Sequence, residues 1–249
     1  MKPLDLLIVN APARAGVYQS LSQFAAIEPP VWAGLIAQYC LNRGYSVKIL
    51  DAEAEGLTMS QTAARINEMM PRLAAFCIYG QQPSASTQCL PAAEETVKMV
   101  DGRIPTLALG THPSALPERT LREGPWTYVC QGEGPHTVER LLVALLPGVM
   151  LPTSDVPGLW QCPGITTQAL ALNIENLDQE LPNQAWELLD MKRYRPHHWH
   201  LWTGDPNGGY ASVQTSLGCP WKCQFCCINV PFGGSGYRMW SPSNVAAQI

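Results

Sequence analysis

Five short apolar runs alternate with helical patterns in residues 1–148, and this alternation constrains the fold more than any other feature of the chain. The helical pattern after Pro29 and Pro30 is the clearest, because apolar residues recur there in pairs, as on a helix with one buried face. Ser60 is expected to cap the helix after the second run. Strands alternating with helices predict an α/β domain with a five-stranded parallel sheet, formed by residues 4–10, 47–51, 73–79, 105–109 and 128–130.

Ligands of open parallel sheets bind outside the carboxyl ends of the strands, where the loops after four of these runs should meet. Any one of these loops is better explained as a simple turn, and it is their shared edge that predicts a binding site. The residues expected to contact a ligand there are Asn10 and Pro12, Ser84 and Ser86, Gly110, His112 and Pro113, and Gln131, Gly132, Glu133 and Gly134.

Three cysteines near the end of the chain, Cys219, Cys223 and Cys226, have the spacing C-x3-C-x2-C. A tight loop with this spacing can turn three thiolates toward one iron–sulfur cube, which leaves the fourth iron open to an amine and a carboxylate. A zinc site commonly uses two C-x2-C pairs, and no second pair is present. The spacing therefore favours an iron–sulfur cluster, with the adjacent Cys227 as a bystander.

Composition excludes some partners. The net charge of −4 and the pI of about 5.7 argue against a nucleic-acid surface, which would need a basic face. No apolar run approaches the roughly 20 residues of a membrane span. The remaining cysteines are scattered and expected to behave as small hydrophobic residues in a reduced, cytoplasmic compartment; they are Cys40, Cys77, Cys89, Cys130 and Cys162.

Residues 149–208 are rich in proline and tryptophan and are predicted to form a packed connector, with a hairpin around Pro163 and Gly164. Its histidines, at positions 197, 198 and 200, are better explained as solvated or hydrogen-bonded than as metal ligands. Residues 210–216 are predicted to be a strand that leads directly into the cysteine loop. Ser241 followed by Pro242 predicts the start of a helix.

Several of these motifs together resemble a known family. Residues 110–118 and the later segment Gln131-Gly132-Glu133-Gly134 resemble the cobalamin-binding domain that precedes many radical S-adenosylmethionine (radical SAM) barrels. The cysteine spacing, with Phe225 before the third cysteine, resembles the radical SAM signature. The resemblance covers essentially the whole chain. It implies a Rossmann-like (flavodoxin-like) cobalamin-binding domain in residues 1–148, a connector in 149–208, and the truncated start of a radical SAM partial TIM barrel in 209–249.

The resemblance also implies the cofactors. A [4Fe-4S] cluster would be held by Cys219, Cys223 and Cys226, and S-adenosylmethionine would bind with Phe225 near its adenine. Cobalamin would be the third cofactor. Family members with a lower-axial histidine carry D-x-H-x-x-G after the first strand, whereas this chain has neither Asp nor His in the seven residues from Asn10. Cobalamin is therefore expected to bind without a protein imidazole.

The activity implied by the resemblance is that of a radical SAM enzyme acting through a 5′-deoxyadenosyl radical. Its favoured form is a methyltransferase that methylates an unactivated carbon of a small-molecule or peptide substrate. It would receive electrons from a donor such as flavodoxin or ferredoxin. Two alternatives stay open: a cyclase or oxidase of the same architecture, and a non-enzymatic cobalamin and iron–sulfur sensor. The substrate and the catalytic residues are not specified by the sequence, and this fragment alone is expected to be inactive.

Overall fold

The computed structural model describes residues 3–79, 85–161, 165–166, 171–196 and 210–249. Its centre is a sheet with the strand order β2-β1-β3-β4-β5-β6-β7. The first five strands are parallel, and β6 and β7 extend the sheet in antiparallel fashion. The strands are β1 (Leu6–Asn10), β2 (Val47–Asp51), β3 (Leu73–Ile78), β4 (Thr106–Gly110), β5 (Tyr128–Cys130), β6 (Leu159–Gln161) and β7 (Ile165–Thr166).

The predicted fold class is confirmed, because the parallel strands follow the flavodoxin-like order 2-1-3-4-5. The pair β6–β7 agrees with the predicted hairpin, although Pro163 and Gly164 themselves lie outside the described residues. The two added antiparallel strands were not expected in the sheet. They belong to the segment after residue 148, so the sheet is wider than the first 148 residues alone would make it.

Helices cover both faces of the sheet. They are α1 (Arg14–Tyr18), α2 (Val31–Leu41), α3 (Ala52–Glu55), α4 (Met59–Met69), α5 (Ala85–Val97), α6 (Thr111–Ala115), α7 (Pro117–Glu123), α8 (Pro135–Ala144) and α9 (Leu177–Glu180). Alternate residues of β1 divide between two cores: Leu6 and Ile8 pack with α2 and α8, whereas Leu7 and Val9 pack with α4 and α5. None of the helices in the described part of the chain combines the length and apolarity that crossing a membrane requires.

Two local predictions need correction. The helix predicted to be capped by Ser60 begins at Met59, because Thr58 and Gln61 form a capping box: the Gln61 amide donates to Thr58 Oγ1 at 3.2 Å and the Thr58 amide donates to Gln61 Oε1 at 2.9 Å. The strand predicted at 210–216 begins only at Ser216.

The corrected strand is part of a hairpin, which we call the cluster hairpin (residues 216–239). It consists of β8 (Ser216–Cys219) and β9 (Gly236–Met239), paired antiparallel, with the cysteine loop between them. The strand β9 was not predicted. The predicted helix after it is present as α10 (Pro242–Ala247), capped by the Ser241 hydroxyl.

The connector and the cluster hairpin share the core of the sheet domain. Ile174 and Leu181 of the connector, and Leu217 and Trp240 of the C-terminal segment, are buried in the same apolar cluster as Leu6. The Trp240 indole also donates a hydrogen bond of 2.7 Å to the Leu181 carbonyl. The division into residues 1–148, 149–208 and 209–249 stays a prediction, and the shared core argues against independent folding of the first part.

A buried ion pair joins the same three segments. The side chain of Glu133, in the loop after β5, has no exposed surface. Its two oxygens accept hydrogen bonds from Arg238 on β9 at 3.0 and 3.1 Å, and one of them also accepts from the Ile174 amide at 2.9 Å. Arg238 donates in addition to the Ile174 carbonyl. Sheet domain, connector and cluster hairpin therefore meet at one charge-matched contact.

A second polar contact ties the connector to the sheet. Asp51, at the end of β2, is 5% exposed and accepts hydrogen bonds from Asn10 Nδ2 at 2.8 Å, from the Ala54 amide at 3.2 Å and from the Tyr194 hydroxyl at 2.8 Å. Burial raises the pKa of Asp51 to about 6, against the opposing effect of these three hydrogen bonds. In the folded protein, the Asp51 carboxyl group therefore stays protonated to a higher pH than an exposed aspartic acid does.

This shift gives a prediction for the pH dependence of stability. Because the pKa of Asp51 is raised from 3.8 to about 6, the folded protein binds a proton more tightly than the unfolded chain. Its contribution to the free energy of unfolding is therefore greatest below about pH 4 and falls as the pH rises to about 6. Asp51→Asn cannot titrate, so the free energy of unfolding of this variant should not show the decrease. The value for the variant minus the value for the wild type should therefore increase between about pH 4 and 7. Urea titrations at both pH values measure this difference, and a constant value would contradict the assignment.

The ion pair predicts a strong effect of a single truncation. Arg238→Ala leaves the Glu133 carboxylate buried without its counter-charge, and we expect the free energy of unfolding to fall by about 3–5 kcal/mol. Adding Glu133→Gln to that variant should recover part of the loss, because the buried charge is then removed. Urea titration of the two single variants and the double variant measures the coupling.

A matched control is the solvent-exposed pair Arg119–Glu123. Arg119→Ala should leave the free energy of unfolding almost unchanged. Equal losses for Arg238→Ala and Arg119→Ala would show that the Glu133–Arg238 pair does not hold the cluster hairpin in place.

Candidate functional site

A cavity of about 560 Å³ lies at the carboxyl ends of the parallel strands. One side of its wall comes from the sheet domain and the other from the cluster hairpin. The residues that represent the two sides are Asn10, Tyr79 and Thr111 from the sheet domain, and Ser216, Leu217 and Phe232 from the hairpin. This is the edge where ligands of such sheets bind, so the predicted edge and the observed cavity coincide.

Aromatic side chains form the wall where the two sides meet. The rings of Trp32 and Tyr79 are stacked with centroids 4.8 Å apart and an interplanar angle of 11°, and Phe232 lies 5.9 Å from Trp32. The Tyr79 hydroxyl is buried and has no hydrogen-bond partner among the described residues. Burial raises the pKa of Tyr79 well above its usual value, so this hydroxyl keeps its proton. A polar ligand in the cavity would supply the missing partner.

Charged residues line the cavity on the side of the first loop. The Arg14 amide and Nε donate to the two carboxylate oxygens of Glu53 at 2.7 and 2.9 Å. Cys89 also lines the cavity, where burial raises the pKa of its thiol to about 11, so it stays protonated and is a poor metal ligand. The described residues of the lining include no histidine.

Three of the four predicted loops reach this cavity, but several predicted residues are already engaged with protein groups. Asn10 lines it while its amide donates to Asp51. The Ser86 hydroxyl donates to the Ile78 carbonyl and accepts from the His112 amide at 2.9 Å. His112 Nδ1 lies 2.9 Å from Thr87 Oγ1, and burial lowers its pKa. Pro12 and Pro113 lie near this edge without lining the cavity, and Ser84 lies outside the described residues.

The glycine after β4 has a structural explanation. Gly110 has φ of +142°, and a side chain there would collide with the Ile78 carbonyl of β3. Glycine is therefore required by the close approach of two strands, whether or not a ligand is bound.

The fourth predicted loop, residues 131–134, does not line the cavity. Gln131 is exposed and accepts a hydrogen bond from the Trp160 indole at 2.9 Å, whereas Gly132, Glu133 and Gly134 are buried. The Glu133 side chain accepts three hydrogen bonds from Arg238 and the Ile174 amide and has no exposed surface through which a ligand could contact it. The loop holds the cluster hairpin, and a direct role in ligand binding stays a prediction.

The three cysteines of the motif line a second cavity, of about 500 Å³. Cys227 is not part of its lining, and Ile228 lines both cavities, so the two are adjacent. Among the described residues, no three His, Cys, Asp or Glu side chains converge closely enough to hold a single metal ion. A cube places each thiolate on a different iron and needs no such convergence, whereas zinc requires it. The exposed Phe225 ring projects beside this loop and is not among the cavity-lining residues.

Sequence reasoning missed four residues that shape this region. They are Trp32, Tyr79, Asn229 and Arg238. Asn229 lines the cysteine cavity, and its side chain binds the backbone of Cys219. The only signal in the sequence is its position three residues after the last cysteine of the motif, which by itself does not indicate a contact with the first.

Comparison with known proteins agrees with this arrangement. Residues 21–142 match the family model of the B12 binding domain. An uncharacterized methyltransferase of Pyrococcus horikoshii is 28% identical over 239 residues, which are 94% of this chain and 47% of that protein. The anaerobic magnesium-protoporphyrin IX monomethyl ester cyclase of Synechocystis is 29% identical over 204 residues, which are 80% of this chain and 38% of that protein.

Solved structures share the fold. The cobalamin-dependent S-adenosylmethionine radical enzyme OxsB, with aqua-cobalamin and S-adenosylmethionine bound, has a TM-score of 0.68 at 17% identity, over 99% of this chain and 31% of its own. The radical S-adenosylmethionine methyltransferase TsrM of Kitasatospora setae, with cobalamin and a [4Fe-4S] cluster bound, has a TM-score of 0.55 at 17% identity, over 100% of this chain and 45% of its own. The chain spans less than half the length of each of these four proteins. Residues 21–142 are thus identified as a B12-binding domain, and over nearly its whole length the chain has the fold of these two radical S-adenosylmethionine enzymes.

Proposed function

We propose that this chain is the cobalamin-binding and cluster-binding part of a radical SAM methyltransferase. The observation that carries the proposal is the adjacency of the two cavities: the three motif cysteines line one, the carboxyl edge of the B12-binding domain lines the other, and Ile228 lines both. Cofactors bound in the two would be neighbours. The relative from Pyrococcus horikoshii, named as a methyltransferase, supports methyl transfer over other outcomes.

In this proposal Cys219, Cys223 and Cys226 would hold a [4Fe-4S] cluster by their thiolates, and that cluster would supply an electron to S-adenosylmethionine bound beside it. The thiols line an open cavity with Trp221 and Lys222, so a small molecule can reach them. When bound, the three cofactors supply electron transfer, radical generation and methyl transfer. The protein's own groups bind and orient them.

The first cavity suits cobalamin. A corrin carries amide side chains, which need both hydrogen-bond donors and acceptors. The Tyr79 hydroxyl, which has no partner in the part of the chain that the structure describes, offers a donor, and Asn10, Arg14 and Glu53 add polar groups to a mostly apolar wall. Trp32 and Phe232 line the cavity with ring centroids 5.9 Å apart and add apolar surface to it. Since the described lining has no histidine, we expect cobalamin to bind without a protein imidazole below the cobalt.

A radical SAM cyclase is the second candidate, favoured by the similarity to the Synechocystis cyclase. The full-length protein distinguishes the candidates when it is incubated with S-adenosylmethionine and a reduced flavodoxin or ferredoxin. Formation of 5′-deoxyadenosine marks an enzyme, and its absence marks a sensor. A methylated small-molecule or peptide product marks a methyltransferase, whereas a cyclised or oxidised product of unchanged carbon count marks the alternative.

The cluster assignment predicts the metal content. Protein reconstituted without oxygen should hold about four irons and about four sulfides per chain. Cys223→Ala should lose the cluster, because two thiolates do not hold a cube against solvent, whereas Cys227→Ala, the matched control in the same loop, should keep it. Iron and sulfide analysis checks both variants. One zinc and no sulfide in the wild type would refute the assignment.

The cobalamin assignment predicts the effect of one hydroxyl. Tyr79→Phe removes a buried donor that has no hydrogen-bond partner among the described residues, so the free energy of unfolding should not fall. Loss of a hydrogen bond to cobalamin should weaken its binding by about 1 kcal/mol, or roughly fivefold. Tyr45→Phe, a partly buried tyrosine outside the cavity, is the control. Equilibrium dialysis of cobalamin measures the affinities, and equal affinity of Tyr79→Phe and wild type would contradict the placement.

A further inference from the structure

We propose that Asn229 is a positioning residue for the iron–sulfur ligands. Its side-chain amide binds the segment that carries Cys219, the first limb of the cysteine loop, and lies at the end of the segment that carries Cys223 and Cys226, the last limb. All three thiols therefore line one cavity before a cluster is assembled. The inference rests on the proposed function, in which Cys219, Cys223 and Cys226 hold the cluster.

The side chain makes three hydrogen bonds to the backbone at the start of the cysteine loop. Asn229 Oδ1 accepts from the Cys219 amide at 2.8 Å. Asn229 Nδ2 donates to the Cys219 carbonyl and to the Trp221 carbonyl, both at 2.9 Å. An asparagine amide has one acceptor oxygen and two N–H donors, so both donors and the oxygen are engaged. Both ends of one planar group therefore orient the peptide that carries the first ligand.

The location of Asn229 makes these bonds effective. The Cys226 amide donates to the Cys223 carbonyl at 3.1 Å, and the Val230 amide donates to the Cys227 carbonyl at 3.1 Å, so the last limb of the loop is ordered by its own backbone. On the other side, Cys219 pairs with Gly236 of β9. Asn229 lies between them and joins the limb with the first cysteine to the limb with the other two.

The contact with Asn229 also fixes the direction of one backbone N–H group, that of Cys219. The Cys219 N–H is directed to Asn229 Oδ1 and is therefore not free to donate to a cluster sulfur. Hydrogen bonds to the sulfurs stabilise the reduced, more negative cluster and are among the factors that set its potential. Loss of the asparagine would release this donor, so the reduction potential of any cluster that still forms should become more positive. A change such as Asn173→Ala, which removes a hydrogen bond to the hairpin without releasing this donor, should not have this effect.

The test compares Asn229→Ala with Asn173→Ala. Asn173 is a matched control, because its Nδ2 donates to the Phe232 carbonyl of the same hairpin at 3.0 Å without touching a cysteine. In reconstituted protein, we expect Asn229→Ala to release iron to a chelator about 10- to 100-fold faster than wild type, as for other residues that support metal ligands. Its cluster potential, measured by redox titration with electron paramagnetic resonance, should shift to more positive values. Asn173→Ala should match wild type in both measurements.

A second measurement needs no cluster. In the metal-free protein, hydrogen exchange at the Cys219 amide should be at least about tenfold faster in Asn229→Ala than in wild type, and unchanged in Asn173→Ala, since an intramolecular hydrogen bond protects an amide. Unchanged exchange at Cys219 overturns the positioning role. Wild-type iron release and potential in Asn229→Ala also overturn it, as does equal loss in Asn173→Ala. A wild type that holds no iron and sulfide refutes the proposed function instead, and the exchange measurement still decides whether Asn229 orders the loop.

Discussion

The buried ion pair between Glu133 and Arg238 is the contact on which the arrangement of the whole molecule depends. A carboxylate without exposed surface is stable only when its charge is matched, and Arg238 and the Ile174 amide supply that match. Glu133 belongs to the sheet domain, Ile174 to the connector and Arg238 to the cluster hairpin. Separation of the cluster hairpin from the sheet domain would therefore leave Glu133 without its counter-charge. The ion pair sets the position of the cysteine loop relative to the edge of the sheet.

This fixed position has a consequence for binding. Phe232 and Leu217 of the hairpin line the same cavity as Asn10 and Tyr79 of the sheet domain, so a ligand there contacts both sides. Such a ligand binds better to the docked arrangement than to a separated one, and it stabilises docking by its differential affinity. The first cavity is therefore completed by the hairpin that carries the cysteines.

Close packing also accounts for residues that look like ligand contacts in the sequence. Gly110 is required where β4 passes the Ile78 carbonyl, and the Ser86 hydroxyl bridges Ile78 and the His112 amide at the same place. These residues pack together at the carboxyl ends of β3 and β4. The groups that face the first cavity include instead aromatic and polar side chains from α1, α2 and α3 and from the ends of β1 and β3. A single loop rich in glycine and serine thus indicates the edge of a sheet more reliably than it indicates a contact with a ligand.

The sequence by itself determined the elements whose signals are local. Residues 47–51 and 128–130 are predicted with the bounds that the structure has. Short segments of this length between turn-forming residues are typical of buried strands. The cysteine spacing and the Ser241 cap are equally local. Only the tertiary structure decided the pairing of β9 with β8, the addition of β6 to the sheet, and the contacts of Glu133 with Arg238 and of Asn229 with Cys219. Glu133 and Arg238 are 105 residues apart, and neither has a neighbour in sequence that specifies its partner. The contact of Glu133 with Arg238 forms because folding of the sheet and its shared core brings distant segments together, whereas Asn229 and Cys219, which are 10 residues apart, meet when the hairpin closes. Neither proximity is encoded in a local pattern.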